Sequence, residues 1–285
     1  MKIMRLALPK GRLYNEVKKL LEDSGIKVSR TAREYRPSIS VEGIEAKILK
    51  PRNIAQLVSL GKFDCGFTGE DWLIEENASA NIILRTGFDK VEIVVAAPPS
   101  VTLAQIKKRK RVIVATEYPN IAQKWLNKNG IRYVLLRTYG ATEVFPPEDA
   151  DIIIDNTASG RTLIMHNLSV IATVLKSETV FVASREAAKD SESSKRISEL
   201  SLLLQSVLLA RQKVLLEMNV PSEKMEKILP KLPCMKSPTV APLYGGAGYA
   251  VKIAVGEEEA AKLIPRLKEW GATDILQYRL ERIVV

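Results

Sequence analysis

Residues 151–163 read D-I-I-I-D-N-T-A-S-G-R-T-L, and the fold prediction starts from them. Three isoleucines between two aspartates predict a short buried strand, and the polar run with a glycine after them predicts a tight turn that opens a helix. Alternating strands and helices of this kind are typical of an α/β domain.

The turn in this stretch has the composition of a phosphate site. Backbone N–H groups at a helix start point to one place, where the helix dipole and two hydroxyls add to the attraction for phosphate. Asp155, directly upstream, is placed to accept hydrogen bonds from sugar hydroxyls. The alternative is a Ser or Thr helix cap beside two ordinary strand-end acids, and this stretch alone favours neither interpretation. The candidate donors are Ser159, Gly160, Arg161 and Thr162.

Two other loops carry candidate ligands for the same group. Glu143 follows a glycine shortly before the strand and is either a solvated turn acid or a second acceptor for the sugar hydroxyls. Lys10 and Arg12 fall in a loop after the first predicted strand, at the start of a helix. Because cations are mildly disfavoured at a helix start, their position favours an anion site over a solvated surface.

Two further segments carry weaker candidates. Arg52 lies in K-P-R-N, at the start of a predicted helix, and is a candidate anion ligand. Gly69, Glu70 and Asp71 follow a predicted strand and open another helix. The two acids complement the helix dipole in any protein, whereas the glycine permits close approach of a backbone to a ligand.

The composition places the chain among ordinary globular proteins. Its 285 residues are 46% hydrophobic and 27% charged, enough for two or three domains with real cores. Cys65 and Cys234 are the only cysteines and lie far apart in sequence, which predicts no disulfide framework and a reducing compartment. No apolar run reaches membrane-spanning length, so we expect a cytoplasmic protein without a membrane partner.

The charge favours an anionic partner. Lysine and arginine outnumber the acids by 43 to 33, a formal charge of +10. Such an excess suits nucleic acid or nucleotides and phosphorylated sugars equally. The densest run, K-K-R-K-R at 107–111, has no interleaved aromatic residue and is interpreted as a solvated helix end, so no nucleic-acid function is predicted.

The order of predicted elements suggests two α/β parts and a tail. A break is predicted at Pro98-Pro99, since two prolines suppress both helix and central strand. A long helix is predicted over about 192–218, and from about 222 the chain has the order of a compact α+β module. His166, the only histidine, is predicted at a helix surface or cap, because no second histidine or serine-base spacing accompanies it.

These segments together resemble one family, the ATP phosphoribosyltransferases, in the long form with a C-terminal regulatory domain. The resemblance runs through the whole chain, and its motifs are specific as an ordered set. They are L-P-K-G-R-L from Leu8, G-E-D-W-L from Gly69, A-T-E-Y-P-N from Ala115, G-A-T-E-V from Gly140, D-N-T-A-S-G-R-T-L from Asp155 and S-P-T-V-A-P-L from Ser237.

The resemblance implies an α/β fold with two catalytic subdomains of the type II periplasmic-binding-protein kind and a C-terminal ferredoxin-like α+β regulatory domain. Catalytic subdomain I would comprise residues 1–97, completed by about 178–218. Catalytic subdomain II, with the phosphoribosyl loop, would comprise residues 98–177. The regulatory domain would comprise residues 219–285.

The resemblance also implies roles for the candidate residues. Asp155 and Glu143 would be catalytic and hold the ribose hydroxyls of phosphoribosyl pyrophosphate, while its 5-phosphate would bind residues 158–162. Family members usually carry apolar residues, and often a hydroxyl or glycine, where this chain has Asn156, Thr157 and Ala158. ATP or pyrophosphate would bind Lys10, Arg12, Arg52, Gly69, Glu70 and Asp71.

The implied reaction is attack of adenine N1 of ATP on C1 of the sugar, giving phosphoribosyl-ATP and pyrophosphate, the first step of histidine biosynthesis. Mg²⁺ would be carried by the substrate phosphates, with no metal site on the protein. Feedback inhibition by histidine and the assembly of dimers to hexamers are also implied. The candidate histidine ligands are Glu217, Thr239 and Asp274, which lie at the ends of predicted elements; the alternative is that they are ordinary capping or turn residues. The alternative is a non-catalytic anion-binding module, which leaves residues 222–285 unexplained.

Overall fold

A computed structural model describes residues 3–29, 35–235 and 237–285. The chain divides into two compact units. The first comprises the described parts of Met1–Glu22 and Ile26–Glu199, and the second comprises Asp23–Gly25 and the described part of Leu200–Val285.

The described residues form sixteen strands and ten α-helices. The strands are β1 (Met4–Pro9), β2 (Val28–Ser29), β3 (Ser38–Ile39), β4 (Ile44–Leu49), β5 (Cys65–Gly69), β6 (Ala80–Arg85), β7 (Val91–Ala97), β8 (Val112–Thr116), β9 (Tyr133–Arg137), β10 (Ile152–Thr157), β11 (Ser169–Ser177), β12 (Thr179–Ser184), β13 (Lys213–Val220), β14 (Thr239–Pro242), β15 (Tyr249–Gly256) and β16 (Thr273–Arg279). The helices are α1 (Arg12–Asp23), α2 (Pro51–Ser59), α3 (Glu70–Glu75), α4 (Leu103–Lys108), α5 (Pro119–Lys128), α6 (Arg161–Met165), α7 (Arg185–Lys189), α8 (Ser191–Ala210), α9 (Met225–Ile228) and α10 (Glu257–Trp270).

The first unit contains two five-stranded sheets, each of which forms the centre of one lobe. Lobe I is built on the order β4-β1-β5-β12-β6, with β1 parallel to β4 and β5, and β12 antiparallel to β5 and β6. Every residue of β5 and of β12 is buried, as expected for central strands that are covered on both faces.

Lobe II is built on the order β11-β7-β10-β8-β9. Strand β10 is parallel to β8 and antiparallel to β7, which places its three isoleucines, Ile152, Ile153 and Ile154, at the centre of the sheet. Residues from α4 and α5 cover one face of this sheet. Leu163 and Leu168 pack against the buried side chains on its other face. The alternation of side chains along the strands explains the two clusters.

The predicted break at Pro98-Pro99 is wrong. Strand β7, which ends just before this pair, hydrogen-bonds to β10 and β11 and therefore belongs to lobe II. The chain passes from lobe I to lobe II between β6 and β7, and it returns between β11 and β12 at Glu178. The two prolines end β7. The connection between the two lobes is the short segment 86–90, between β6 and β7.

The second unit contains a four-stranded antiparallel sheet in the order β14-β15-β13-β16. With α9 between β13 and β14 and α10 between β15 and β16, this is the ferredoxin-like βαββαβ arrangement. One face of the sheet packs against the helices through a core that includes Leu216, Met218, Ile253 and Leu263.

The long helix predicted over 192–218 is wrong at its end. Helix α8 ends at Ala210, and Lys213–Val220 is a strand in which buried and half-buried residues alternate. The apolar side chains after Ala210 recur every second residue, which is the period of a strand with one covered face. Consequently the ferredoxin-like sheet begins at Lys213, before the predicted boundary at residue 219.

No helix in the described ranges is long and apolar enough to cross a membrane. The basic run at 107–111 is exposed at the end of α4, where it was predicted.

Candidate functional site

The predicted phosphate loop forms the turn between β10 and α6. Gly160 has φ +72°, a left-handed conformation that favours glycine, and its N–H donates to Thr157 Oγ1 at 3.1 Å. The N–H groups of Ser159, Arg161 and Thr162 have no hydrogen-bond partner within the described residues. Three of the four predicted backbone donors are therefore available to a ligand, and the fourth stabilises the turn.

A cavity of about 330 Å³ opens in front of this loop. It brings together most of the residues that the sequence predicts for one site, although they come from three separate segments. The predicted residues that line it are Arg12, Glu143, Asp155, Ala158, Ser159, Gly160, Arg161 and Thr162. The combination of two cations, two carboxylates and free N–H groups suits a ligand with both phosphate and hydroxyl groups.

Asp155 is the most perturbed acid of this cavity. It lies on β10 rather than after it, and its Oδ1 accepts the N–H of Asn156 at 2.7 Å. Burial raises the pKa of Asp155 to about 6, helped by the charges of Glu117 and Glu143 and opposed by hydrogen bonds from Thr142 and from the Asn156 N–H. At neutral pH the group is a carboxylate whose charge is poorly solvated, and it attracts a positive centre strongly.

Glu117 also lines the cavity, and the sequence reasoning missed it. Burial raises its pKa, Arg52 and Lys50 act in the opposite direction, and Glu143 adds to the rise. Strands β8 and β10 are parallel, with Ile153 level with Ala115, so Asp155 and Glu117 lie at matching positions two residues farther along. The position of Glu117 directly after a strand could have predicted it, because parallel strands end at the same edge of the sheet and bring the residues that follow them together.

A neighbouring cavity of about 520 Å³ shares Glu117 with the first. It contains the cations Lys50, Arg52 and Arg137 and the rings of Trp72 and Tyr139. The Arg52 guanidinium lies 5.7 Å from the Trp72 ring centre, and its Nε donates to Glu76. Cations beside aromatic rings are a suitable environment for a base that carries phosphates.

Lys10 and Arg12, which were predicted for one site, have different surroundings. Arg12 lines the 330 Å³ cavity and forms an ion pair with Asp89. Lys10 is exposed, and its Nζ donates to the hydroxyl of Tyr35 at 3.2 Å. The structure therefore brings Arg12, but not Lys10, into the cavity with Asp155.

The three residues of the G-E-D segment have structural partners. Glu70 accepts two hydrogen bonds from Arg85, at 2.5 and 2.7 Å, which lower the pKa of Glu70. Asp71 is only 4% exposed and accepts hydrogen bonds from Ser177 and Tyr118. A Cβ on Gly69 would lie 2.2 Å from Asp71 Oδ1, so the glycine is needed to admit the carboxylate. These contacts favour a supporting role for the segment.

The residues predicted for histidine lie on the ferredoxin-like sheet. Glu217 on β13 and Thr239 on β14 both pair with Lys252 on β15, whose Nζ lies 3.2 Å from Glu217 Oε1. Asp274 on β16 accepts hydrogen bonds from Asn219 and Thr273, both at 2.9 Å, which lower the pKa of Asp274. All four strands thus contribute polar groups to this sheet.

His166 is exposed at the C-terminal end of α6, as predicted. Its backbone N–H donates to carbonyl oxygens of the preceding turn, which is the ordinary role of a residue that ends a helix.

The chain has two α/β lobes and a ferredoxin-like domain. Its cavity places backbone N–H groups that can bind a phosphate opposite two carboxylates, which is the arrangement of a protein that binds a phosphorylated sugar. Comparison with known proteins narrows this class. The family model described as ATP phosphoribosyltransferase matches residues 50–206, and the model described as HisG, C-terminal domain, matches residues 210–282.

Individual relatives agree with the family models. An ATP phosphoribosyltransferase of Thermodesulfovibrio yellowstonii is 34% identical over 99% of both chains, and one of Chlorobium luteolum is 35% identical over 99% of this chain and 98% of its own. A solved chain of the ATP phosphoribosyl transferase (HisG:HisZ) complex from Thermotoga maritima matches with a TM-score of 0.63 and 25% identity. The match covers 71% of this chain and 97% of that one.

The chain belongs to the ATP phosphoribosyltransferase family, in the long form that carries the C-terminal domain. It transfers the phosphoribosyl group of phosphoribosyl pyrophosphate to N1 of ATP, the first step of histidine biosynthesis. The alternative of a non-catalytic binding module is not favoured, because the enzymes named above match the chain over its whole length. Members of this family generally need a divalent metal ion.

Proposed function

We propose that the 330 Å³ cavity is the phosphoribosyl pyrophosphate site of this enzyme. The single observation that supports this is the meeting of the phosphate loop, Asp155, Glu143 and Arg12 around one space. The 5-phosphate would accept hydrogen bonds from the N–H groups of Ser159, Arg161 and Thr162, and from the Thr162 hydroxyl. Ala158 would border the phosphate through its backbone.

The ribose would lie between this loop and the two acids. Asp155 and Glu143 would accept hydrogen bonds from the ribose hydroxyls and remain close to C1. As the bond from C1 to pyrophosphate breaks, its electron pair leaves with the pyrophosphate and positive charge develops on the ring. Carboxylates in a poorly solvated site stabilise such a charge more than they stabilise the neutral substrate, which lowers the barrier.

ATP would occupy the 520 Å³ cavity, so that its adenine N1 approaches C1 past Glu117, the residue common to both cavities. Arg52, with Lys50 and Arg137, would neutralise the ATP phosphates, and Arg12 would neutralise the departing pyrophosphate. Lys10, two residues before Arg12, is proposed as a second cation for the pyrophosphate. Holding both substrates in line contributes to the rate without covalent catalysis.

Mg²⁺ is the proposed divalent ion, bound to the phosphates of the two substrates. Within the described residues, no group of three or more acids, histidines or cysteines is arranged to hold a metal ion. Phosphate oxygens are good ligands for Mg²⁺, which keeps much of its water and rarely occupies an all-protein cage.

Chelation should therefore abolish turnover and leave the melting temperature of the free protein unchanged.

The phosphate loop is tested by Thr162→Ala. We expect the variant to bind phosphoribosyl pyrophosphate about 10- to 100-fold more weakly, because a hydrogen bond to a charged group contributes about 1.5 to 3 kcal/mol. Titration calorimetry with phosphoribosyl pyrophosphate and Mg²⁺ measures the change. Thr173→Ala removes an exposed hydroxyl that donates to Glu92, outside the cavity, and serves as the matched control. Equal affinity of the two variants would refute the assignment of the loop.

We also propose that the ferredoxin-like domain binds histidine as a feedback inhibitor. The polar groups of the sheet offer acceptors for an ammonium group, in Glu217 and Asp274, and a hydroxyl in Thr239 and a cation in Lys252 for a carboxylate. Inhibition then requires that histidine bind a less active arrangement more tightly, with a coupling free energy of about 1 to 3 kcal/mol.

Point variants test this regulatory site in the full chain. Asp274 has φ +48°, a conformation that asparagine tolerates well, so Asp274→Asn removes the charge with little strain. We expect Asp274→Asn and Thr239→Ala to raise the inhibitory concentration of histidine about tenfold each, while turnover without histidine stays at the wild-type value. Wild-type inhibition curves for both variants, or no inhibition of the wild type, would contradict the proposal.

The proposed assembly is a homo-oligomer of dimers that associate to hexamers, located in the cytoplasm. Support comes from Leu276 and Tyr278 on β16, which are 49% and 44% exposed on the sheet of the second unit and are suited to burial against another subunit. Sedimentation of the purified protein tests the assembly, and fractionation of the source cells tests the location.

A further inference from the structure

A chain of four hydrogen-bonded side chains links lobe I to the strand that carries Asp155. Ser177 Oγ donates to Asp71 Oδ1 at 2.7 Å, and the Tyr118 hydroxyl donates to Asp71 Oδ2 at 2.8 Å. Asn156 Nδ2 then donates to the Tyr118 oxygen at 2.9 Å. The direction of every bond is fixed, because the carboxylate can only accept and the amide N–H can only donate.

Most of this chain is inaccessible to solvent. Asp71, Ser177 and Tyr118 are 4%, 5% and 1% exposed. The Asp71 N–H donates back to Ser177 Oγ at 2.9 Å, and the ring of Trp72 stacks on that of Tyr118 with centroids 4.6 Å apart. Buried groups with this many partners have a single arrangement, so Asp71 holds the Tyr118 hydroxyl in place from the opposite lobe.

The last member of the chain acts directly on Asp155. The backbone N–H of Asn156 donates to Asp155 Oδ1 at 2.7 Å. Asp155 and Asn156 both line the cavity, and the Asn156 side chain is held by Tyr118 while its backbone N–H reaches the Asp155 carboxylate. Fixing the Asn156 side chain therefore fixes the peptide group that orients the carboxylate.

We infer that Asp71, Tyr118 and Asn156 are positioning residues, which hold the Asp155 carboxylate in its orientation through the Asn156 N–H when the two lobes are together. This inference deepens the proposed function, because it assumes that Asp155 holds the ribose. It assigns a role to Asn156. It also accounts for a buried Asp71 that has no free oxygen to offer a substrate.

This series of hydrogen bonds also affects the pKa of Asp155. The Asn156 N–H stabilises the ionised carboxylate and opposes the effect of burial on the pKa. Releasing Asn156 weakens this hydrogen bond, so the pKa of Asp155 should rise further. The other charged groups that line the cavity with Asp155 are Glu117, Glu143, Arg12 and Arg161, and they are unchanged when Asn156 or Tyr118 is replaced.

Two variants interrupt this series of hydrogen bonds, Tyr118→Phe by removing two of them and Asn156→Leu by removing one. Tyr118→Phe removes the hydroxyl and keeps the stack on Trp72, and Asn156→Leu removes the amide and keeps the bond between Tyr118 and Asp71. We expect each to lower kcat about 10- to 100-fold with the KM for ATP unchanged, and the double variant to be no worse than either. Tyr133→Phe, in the same lobe and packed against its core, is the matched control.

The deciding measurement is a carbon-13 NMR titration of the Asp155 carboxyl, assigned with Asp155→Asn, in the intact protein. Both variants should raise the pKa of Asp155 by about one unit, and Tyr133→Phe should not. An unchanged pKa in Asn156→Leu would overturn the inference, as would additive losses of kcat in the double variant. If the pKa rises but Asp155→Asn has wild-type turnover, the positioning chain stands and the proposed function fails.

Discussion

In the expected result, Asp155→Asn lowers kcat about 100- to 1000-fold, while the melting temperature at neutral pH is equal to or higher than that of the wild type, because the variant no longer carries a poorly solvated charge. The amide keeps the shape of the side chain but carries no charge, so it cannot stabilise positive charge on the ribose ring. Loss of one preorganised electrostatic partner in a poorly solvated site typically costs this much. Steady-state kinetics with Mg–ATP and phosphoribosyl pyrophosphate measures it, and kcat within threefold of the wild type would contradict the role of Asp155.

The pH dependence of kcat/KM of the wild-type protein gives a second test of the role of Asp155. Burial raises the pKa of Asp155 from 3.8 to about 6, so the carboxyl becomes neutral as the pH falls below 6. The kcat/KM of the wild type should then fall about tenfold per pH unit below that value, whereas the residual activity of Asp155→Asn should lack this limb. The folded protein also binds this proton more tightly than the unfolded chain, so the group lowers the free energy of unfolding as the pH rises from about 4 to 6.

Glu75→Ala should lower the free energy of unfolding of the first unit by about 3 kcal/mol. Glu75, on α3, is fully buried, and its carboxylate accepts the N–H groups of Asn120 and Ile121 at 3.1 and 2.9 Å. These donors belong to the first turn of α5, which has no side-chain cap of its own. The variant leaves one buried and one partly buried N–H group without a partner and opens a cavity, and each effect costs about a few kcal/mol at most.

Urea denaturation of the full-length protein, followed by tryptophan fluorescence, measures this loss. Glu148→Ala, which removes an exposed acid from lobe II, is the control and should unfold like the wild type. Glu75→Gln retains one acceptor and should fall between the two. A midpoint for Glu75→Ala equal to that of Glu148→Ala would show that α5 does not depend on this contact between the lobes.

The sequence predicts the chemistry of single segments better than their connections. The strand and the turn into a helix at 151–163 are found, because three isoleucines favour a buried strand and the following Ser-Gly-Arg-Thr favours a helix start; the strand, however, continues past Asp155 to Thr157. Arg12 and Glu143 join them in one cavity. The lobe boundary was misplaced because strand β7 and the prolines after it give no sign of which sheet the strand joins; that is decided by long-range pairing with β10 and β11.

Two other differences have local causes. Apolar residues at 214, 216, 218 and 220 continue the helical pattern of α8 only approximately, and their period of two was the better guide. Asp71 was predicted at the ligand, but its burial depends on Ser177, which lies more than a hundred residues away along the chain. A contact of that separation cannot be read from either segment alone.

The central claim is that this chain joins ATP and phosphoribosyl pyrophosphate in the cleft that contains Asp155. The most direct test incubates the purified protein with both substrates and Mg²⁺ and follows the products by mass spectrometry and pyrophosphate release. We predict phosphoribosyl-ATP and pyrophosphate in equal amounts, with the rate reduced at least 100-fold in Asp155→Asn. Pyrophosphate release without phosphoribosyl-ATP, or no reaction of the wild-type protein, would contradict the account.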